Sequence, residues 1–131
     1  MSEAFADTFY WLAVVNPRDP SHSRAVSLEL PDRLVTTWPV QMEVMDALSF
    51  RTNRPLAVEF WELCKTNPDI VVVDYAGKLL EDAIELFSNR PDKDWSLTDC
   101  ISFIVMRERG INDALTADHH FEQAGFRIHL K

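Results

Sequence analysis

Four acidic residues, Asp7, Glu43, Asp99 and Asp118, lie far apart along this 131-residue chain, and each falls close to the start of an expected helix. Asp7 follows the apolar Ala4-Phe5-Ala6, and Asp118 follows Ala114-Leu115-Thr116-Ala117. Glu43 and Asp99 fall in the first turns of helices opened by Thr37 and Ser96. Carboxylates from separate elements that meet in one cleft supply the hard oxygen donors that Mg²⁺ takes, usually one or two directly and the rest as waters and substrate phosphate. An ion held there activates a water toward a phosphodiester and stabilises the charge that develops on oxygen. The same acids also have ordinary roles. Asp99 completes a capping box with Ser96, Asp118 caps the last helix, Asp7 caps the first, and Glu43 is a surface helix residue. A capping acid can also bind metal, so spacing alone leaves both readings open.

Other reactive types carry less. His119 and His120 are adjacent, and neighbours on a helix point in different directions, so they make a poor pair of metal ligands. His22 reads as a packing or hydrogen-bonding residue. Asp113, in Gly110-Ile-Asn-Asp113, reads as a turn former. Asp46 is one helical turn beyond Glu43 and stays outside the set. The chain has only three glycines and no nucleophile elbow, Walker loop or dinucleotide fingerprint, so a nucleotide cradle is not expected.

The elements that must position these acids alternate between two periods. A first strand ends at Asp7 and a helix follows; Asn16 to Pro20 breaks it. A helix runs from Pro20 to about Leu30, where Pro31 ends it. Leu34-Val35-Thr36 is a second strand. Thr37 caps a helix that tolerates Pro39 in its first turn and carries Val40, Val44 and Leu48 on one face. Pro55 to about Lys65 is helical, through Leu56, Phe60 and Leu63. Ile70-Val71-Val72-Val73 is the strongest strand signal and suits a strand buried on both faces. Gly77 to about Asn89 is a helix with Leu79, Leu80, Ala83, Ile84 and Phe87 on one face. Ser96 opens the next helix and Gly110 closes it. Ala114–Ala117 and Phe126–Leu130 are strands flanking a helix from Asp118 to about Ala124. Short strands separated by helices predict one α/β domain over 1–131, with three α/β/α layers and a mostly parallel central sheet of four or five strands. The crevice at the carboxyl ends of such strands is where ligands bind.

Composition agrees with a folded, water-exposed protein: 47% hydrophobic and 26% charged residues. The longest apolar run, Phe9 to Val15, is far short of the ~20 residues a membrane span needs. The N-terminus lacks the basic and apolar regions of a secretory signal, so no membrane association and a cytoplasmic location are expected. Cys64 and Cys100 fall on apolar helix faces and read as reduced, buried thiols. A net charge of −8 excludes a protein that simply coats nucleic acid, but not an enzyme whose bound metal reverses the local field.

Along Phe5-Ala6-Asp7-Thr8, Asn16-Pro17-Arg18-Asp19, His22 and Val35-Thr36-Thr37 before Glu43, the chain resembles the PIN-domain family, in particular VapC-like toxins of type II toxin–antitoxin pairs. The resemblance is densest in Trp95-Ser-Leu-Thr-Asp-Cys100 and Leu115-Thr-Ala-Asp-His-His-Phe121. It implies a PIN-like fold and a ribonuclease dependent on Mg²⁺ or Mn²⁺. The family's acidic quartet falls on Asp7, Glu43, Asp99 and Asp118, and its accompanying hydroxyl on Thr116. Asp7, Asp99 and Asp118 would hold the metal, and Glu43 would complete the shell or orient the attacking water. Trp38-Pro39 departs from the usual pattern before Glu43. The resemblance also implies a homodimer and a small antitoxin covering the cleft, with RNA as substrate. Arg18, Arg24, Arg107 and Arg109 are candidates for backbone phosphates. Two rival readings are a nuclease of this type acting on DNA or structured nucleic acid, and a non-catalytic PIN-like binding module, against which four intact acids count.

Overall fold

The computed structural model describes residues 2–131. Five strands, β1 (Glu3–Ala6), β2 (Arg33–Thr37), β3 (Ile70–Val73), β4 (Asp113–Leu115) and β5 (Arg127–Ile128), form one sheet in the order β3-β2-β1-β4-β5. Every pairing is parallel. The helices are α1 (Thr8–Val15), α2 (His22–Val26), α3 (Trp38–Ala47), α4 (Arg54–Thr66), α5 (Lys78–Asn89), α6 (Leu97–Arg109) and α7 (His119–Gln123). From the central β1 the chain works outward through β2 and β3, then returns to β4 on the other side of β1. That reversal makes the β1/β4 boundary the switch point of the sheet, where a crevice opens at the strands' carboxyl ends.

Two groups of helices enclose the sheet in the expected three layers. On one side α1 packs against α2, α3 and α4; on the other α6 packs against α5 and α7. Trp11 of α1 is fully buried against Phe60 of α4, with ring centroids 5.3 Å apart. Its indole N–H donates to the Ala6 carbonyl at 3.1 Å, and the Thr36 hydroxyl donates to the same oxygen at 3.0 Å. The ends of β1 and β2 are thereby locked just before Asp7. Truncating such a side chain costs about 3–5 kcal/mol. On the opposite face Phe103 meets Trp95 and Phe121 edge-on, each at 5.0 Å. The Trp95 indole N–H also donates to Gln123 at 3.0 Å. Trp95 thus fixes the loop before α6 against α7, two elements that carry candidate acids.

Helix ends follow the sequence closely. The Thr37 hydroxyl accepts from the Val40 N–H, and Ser96 and Asp99 form the reciprocal capping box. Gly110 adopts φ 67°, the left-handed conformation that ends α6 and costs glycine nothing. His22 is a hydrogen-bonding residue, its Nδ1 2.7 Å from the Ala13 carbonyl oxygen. Both cysteines are buried.

Several boundaries differ from expectation. The helix expected over 20–30 is only His22–Val26. Asp19 holds the Ser21 N–H in a turn at one end, the Ser27 hydroxyl donates back to the Ser23 carbonyl at the other, and Pro31 disfavours helix at Leu30. The strand Ile70–Val73 is not buried on both faces. It is an edge strand paired only with β2, and Val72 is 40% exposed; β-branched content reports strand preference, not position in the sheet. On α5 only Ala83 is fully buried, while Ile84 and Phe87 are exposed. β4 ends at Leu115 because the Thr116 hydroxyl accepts the Asp118 N–H at 3.1 Å and turns the chain. β5 is correspondingly short.

Candidate metal centre and active site

The carboxyl edge of the sheet opens into a cleft of about 460 Å³ that all four sequence-picked acids line. Asp7 stands at the end of β1 as the N-cap residue of α1, yet its side chain makes no cap hydrogen bond. Instead Oδ2 accepts from the Thr116 hydroxyl at 3.0 Å, and the Thr116 oxygen accepts in turn from the Asp118 N–H at 3.1 Å. One hydroxyl therefore sets the spacing across the switch point. Asp99 and Asp118 do serve as caps: Asp99 Oδ2 accepts from the Ser96 N–H at 3.1 Å, and Asp118 Oδ1 from the His120 N–H at 2.9 Å. Each retains a further oxygen, so capping and ligation are compatible. Glu43 lies in the second turn of α3, not the first, because that helix begins at Trp38. It still reaches the cleft, where Oε1 accepts from the Thr8 hydroxyl at 2.5 Å.

Electrostatically the cleft is one-sided. Its lining holds five acids, Asp7, Glu43, Asp94, Asp99 and Asp118, and no lysine or arginine. Burial pushes the Asp7 carboxyl up to about 7, against the hydrogen bonds from the Thr8 backbone and Thr116, and the charges of Asp99 and Glu43 add to the rise. Asp99 is also raised, chiefly by burial, with Asp118 contributing. Every buried side-chain polar atom among the described residues has a hydrogen-bond partner. The cleft is therefore short of counter-charge, not of hydrogen bonds: among its lining residues only the His120 imidazole can offset the acids. Carboxylate oxygens gathered without a lysine or arginine are the donor set of a hard divalent ion, and an ion there would restore the ionised form of Asp7.

The sequence pattern of the PIN domain matches residues 4–127. The chain belongs to the PIN-domain family. Among curated proteins, the 23S rRNA-specific endonuclease VapC20 of Mycobacterium tuberculosis, in strains CDC 1551 and H37Rv, is 31% identical over 124 residues, spanning 93% of this chain and 94% of the relative. The crystal structure of M. tuberculosis VapC20, a sarcin-ricin loop cleaving toxin, superposes with a TM-score of 0.87 at 29% identity, covering 95% of this chain and 96% of that one.

Within this PIN domain the structure adds residues that sequence reasoning passed over. Asp94 lines the cleft two residues before the Ser96 cap; its place directly before the buried Trp95 was the only available sign. Thr8 lines it too and orients Glu43. His120 turns inward, its Nδ1 3.3 Å from Asp99 Oδ2 and 3.4 Å from Asp118 Oδ1. The expectation that the histidine pair points apart holds for exposure, since His119 is exposed, but not for reach. One nitrogen from each histidine and an Asp118 oxygen lie within 4.8 Å of one another. Both rings reach Asp118 because it is the N-cap residue directly before them, so side chains on different faces still meet it. Asp113 is no turn former. It opens β4, buried, with its carboxylate bound by Arg127 at 3.0 and 3.2 Å and by His129 at 2.8 Å. Arg109, a phosphate candidate in the sequence, is bound to Glu3 at 2.9 Å.

Proposed function

We propose that this PIN domain is an endoribonuclease dependent on Mg²⁺ or Mn²⁺, the toxin of a toxin–antitoxin pair, with ribosomal RNA as its substrate class. The observation that carries the reading is the cleft itself: five acids line it, Asp7 buried, Asp99 and Asp118 half-buried, Glu43 and Asp94 exposed, with no lysine or arginine among them. The relative that spans nearly the same length is an rRNA-specific endonuclease, which supports RNA over DNA.

In this reading Asp7, Asp99 and Asp118 hold the cation. Once bound, the ion supplies Lewis-acid activation of water and stabilisation of charge on the phosphate oxygens. The chain's own residues do the rest. Thr116 holds Asp7 against the backbone turn at Asp118. Thr8 orients Glu43, whose exposed carboxylate is free to accept a proton from the attacking water. Trp95 keeps the α6 and α7 acids at a fixed separation. The reading treats 1–131 as a single domain and places it in the cytoplasm; among the described residues no helix is long and apolar enough to cross a membrane. It extends to a homodimer and to an antitoxin protein over the cleft, both supported by family resemblance. Trp38 and Met42 on α3 are exposed, as are Val58 and Trp61 on α4 and Ile84 and Phe87 on α5, so α3 is one of several apolar surfaces open to such partners.

The test is cleavage of labelled rRNA fragments and matched DNA with Mg²⁺, Mn²⁺ or EDTA, for wild type, Asp7→Asn and Asp99→Asn. Metal-dependent cutting of RNA, lost in both variants, is the expected result. Cutting that survives both substitutions, or a folded protein that neither cuts nor binds metal, refutes it.

A further inference from the structure

Acids outnumber Lys and Arg by 21 to 13 in this chain, so most cationic side chains have an acid within reach. Eight of the thirteen form ion pairs. Of the five that do not among the described residues, three gather at one place, the turn between α3 and α4. Arg51 lies in that turn and Arg54 opens α4. Arg18 reaches in from the loop after α1, where its Nη2 donates to Asn53 Oδ1 at 2.6 Å. Arg54 Nη2 donates to the Ser49 carbonyl at 2.7 Å. Neutral groups orient the guanidiniums of Arg18 and Arg54, and all three arginines are exposed, so no acid cancels their charge. Asp19, next to Arg18, accepts from the Ser21 N–H instead, and Asp46 and Glu59, the acids nearest Arg51 and Arg54 along the chain, pair with none of the three.

Beside these arginines stands Phe50, 75% exposed and the most exposed large apolar side chain among the described residues. Its exposure is not fraying. The Phe50 carbonyl accepts from the Asn53 and Arg54 N–H groups, both at 2.9 Å, so the turn is closed under it and the ring is held out. An aromatic face among unpaired guanidiniums is the arrangement with which proteins take unpaired nucleotides: the ring stacks on a base and the cations meet phosphates. The turn directly continues α3, which carries Glu43. Glu43 lies four residues before the end of α3, roughly 6 Å at helical rise, and the turn follows directly, so an RNA strand that leaves the acidic cleft along α3 meets Phe50.

We propose that the α3–α4 turn is a docking element for unpaired RNA, with Phe50 stacking on a base and Arg18, Arg51 and Arg54 holding the flanking phosphates. The inference rests on the ribonuclease reading and adds where the substrate is gripped. On a protein this acidic, a local cation cluster decides the path of a polyanion.

The test is fluorescence anisotropy of the full chain with a labelled RNA stem-loop bearing an unpaired purine-rich loop, in EDTA and over a salt series. Initial cleavage rates with Mg²⁺ or Mn²⁺ accompany it. Phe50→Ala is expected to weaken binding about 10-fold with an unchanged salt slope, and Phe50→Tyr to restore it. Arg51→Ala and Arg54→Ala are expected to lower the salt slope by about 0.7 to 0.9 each. In turnover the loss appears in KM rather than kcat. Wild-type affinity in all three alanine variants overturns the inference while leaving the nuclease intact. A Phe50→Ala chain that changes sedimentation but not RNA affinity also overturns it, since the ring then joins copies of the chain. A wild type that neither binds nor cuts RNA removes the ribonuclease reading, and the inference with it.

Discussion

The two edges of one parallel sheet treat acidic residues in opposite ways. At the amino edge, Glu3 opening β1 meets Arg33 opening β2, its register partner, and Arg109 from the end of α6. Asp113 opening β4 meets Arg127 opening β5, again its register partner, and His129. Arg109 holds Glu3 below its ordinary range and Arg127 does the same for Asp113. A second cleft, of about 330 Å³, lies there and is lined by Glu3, Arg109, Asp113 and Arg127. At the carboxyl edge five acids share a cleft without one arginine, and burial raises Asp7 to about 7. Two clefts of similar size thus differ in counter-charge. One is structural. The other gathers acids with little to offset them, a condition that the proposed divalent cation would relieve.

Asp7→Asn should give the sharpest break in that comparison. It is expected to reduce RNA cleavage by more than the ~100-fold typical of losing a supporting residue beside a metal. The same substitution should stabilise the metal-free protein, because it removes a buried charge and leaves an oxygen to accept from Thr116. Asp113→Asn should do the reverse, leaving cleavage near wild type while costing about 1–3 kcal/mol, as charge-assisted hydrogen bonds to a buried group are lost. Thermal melts and initial rates on both variants check the opposite signs. Thr116→Val should fall between them, with cleavage down ~10- to 100-fold through a misplaced Asp7.

Adding Mn²⁺ at 100 times its dissociation constant should stabilise the wild type by about 2.7 kcal/mol, and Asp7→Asn by far less. Acid dependence sharpens the contrast. The folded Asp7 is raised from 3.8 to about 7, so its contribution to metal-free stability is fully present below 3.8 and is lost as pH rises through 7. Asp113 is lowered in the fold, so its contribution is present above 3.8 and is lost as pH falls through its lowered value. Metal affinity should accordingly weaken below about pH 7, since the ion must displace the Asp7 proton; calorimetry at pH 6 and 8 reads this. The smallest effect belongs to Arg33→Ala. Its side chain is 55% exposed, and the melt should shift by less than ~1 kcal/mol equivalent.

Much of this was legible in the residues. The capping box of Ser96 and Asp99, the Gly110 stop and the Thr37 cap are local hydrogen-bond devices, and local chemistry marks them. The convergence of Asp7, Asp99 and Asp118 follows once the strands are parallel, since their carboxyl ends then share an edge. What the residues did not show is long-range pairing. Asp113 reads as a turn former until Arg127 and His129 stand beside it. Val72 reads as interior until β3 proves to be an edge. His120 enters the cleft because Asp118 holds its backbone N–H, a constraint of one short helix that spacing does not report. Asp94 sits in Pro91-Asp-Lys-Asp94, where charge alone does not separate a cleft acid from a solvated one.

Calorimetric titration of Mn²⁺ into wild type, Asp7→Asn, Asp99→Asn and Asp113→Asn at pH 7.5 tests the central claim most directly. The account predicts binding in wild type and Asp113→Asn, and its loss in both cleft variants. Equal binding by all four folded proteins, or none by wild type, would contradict it.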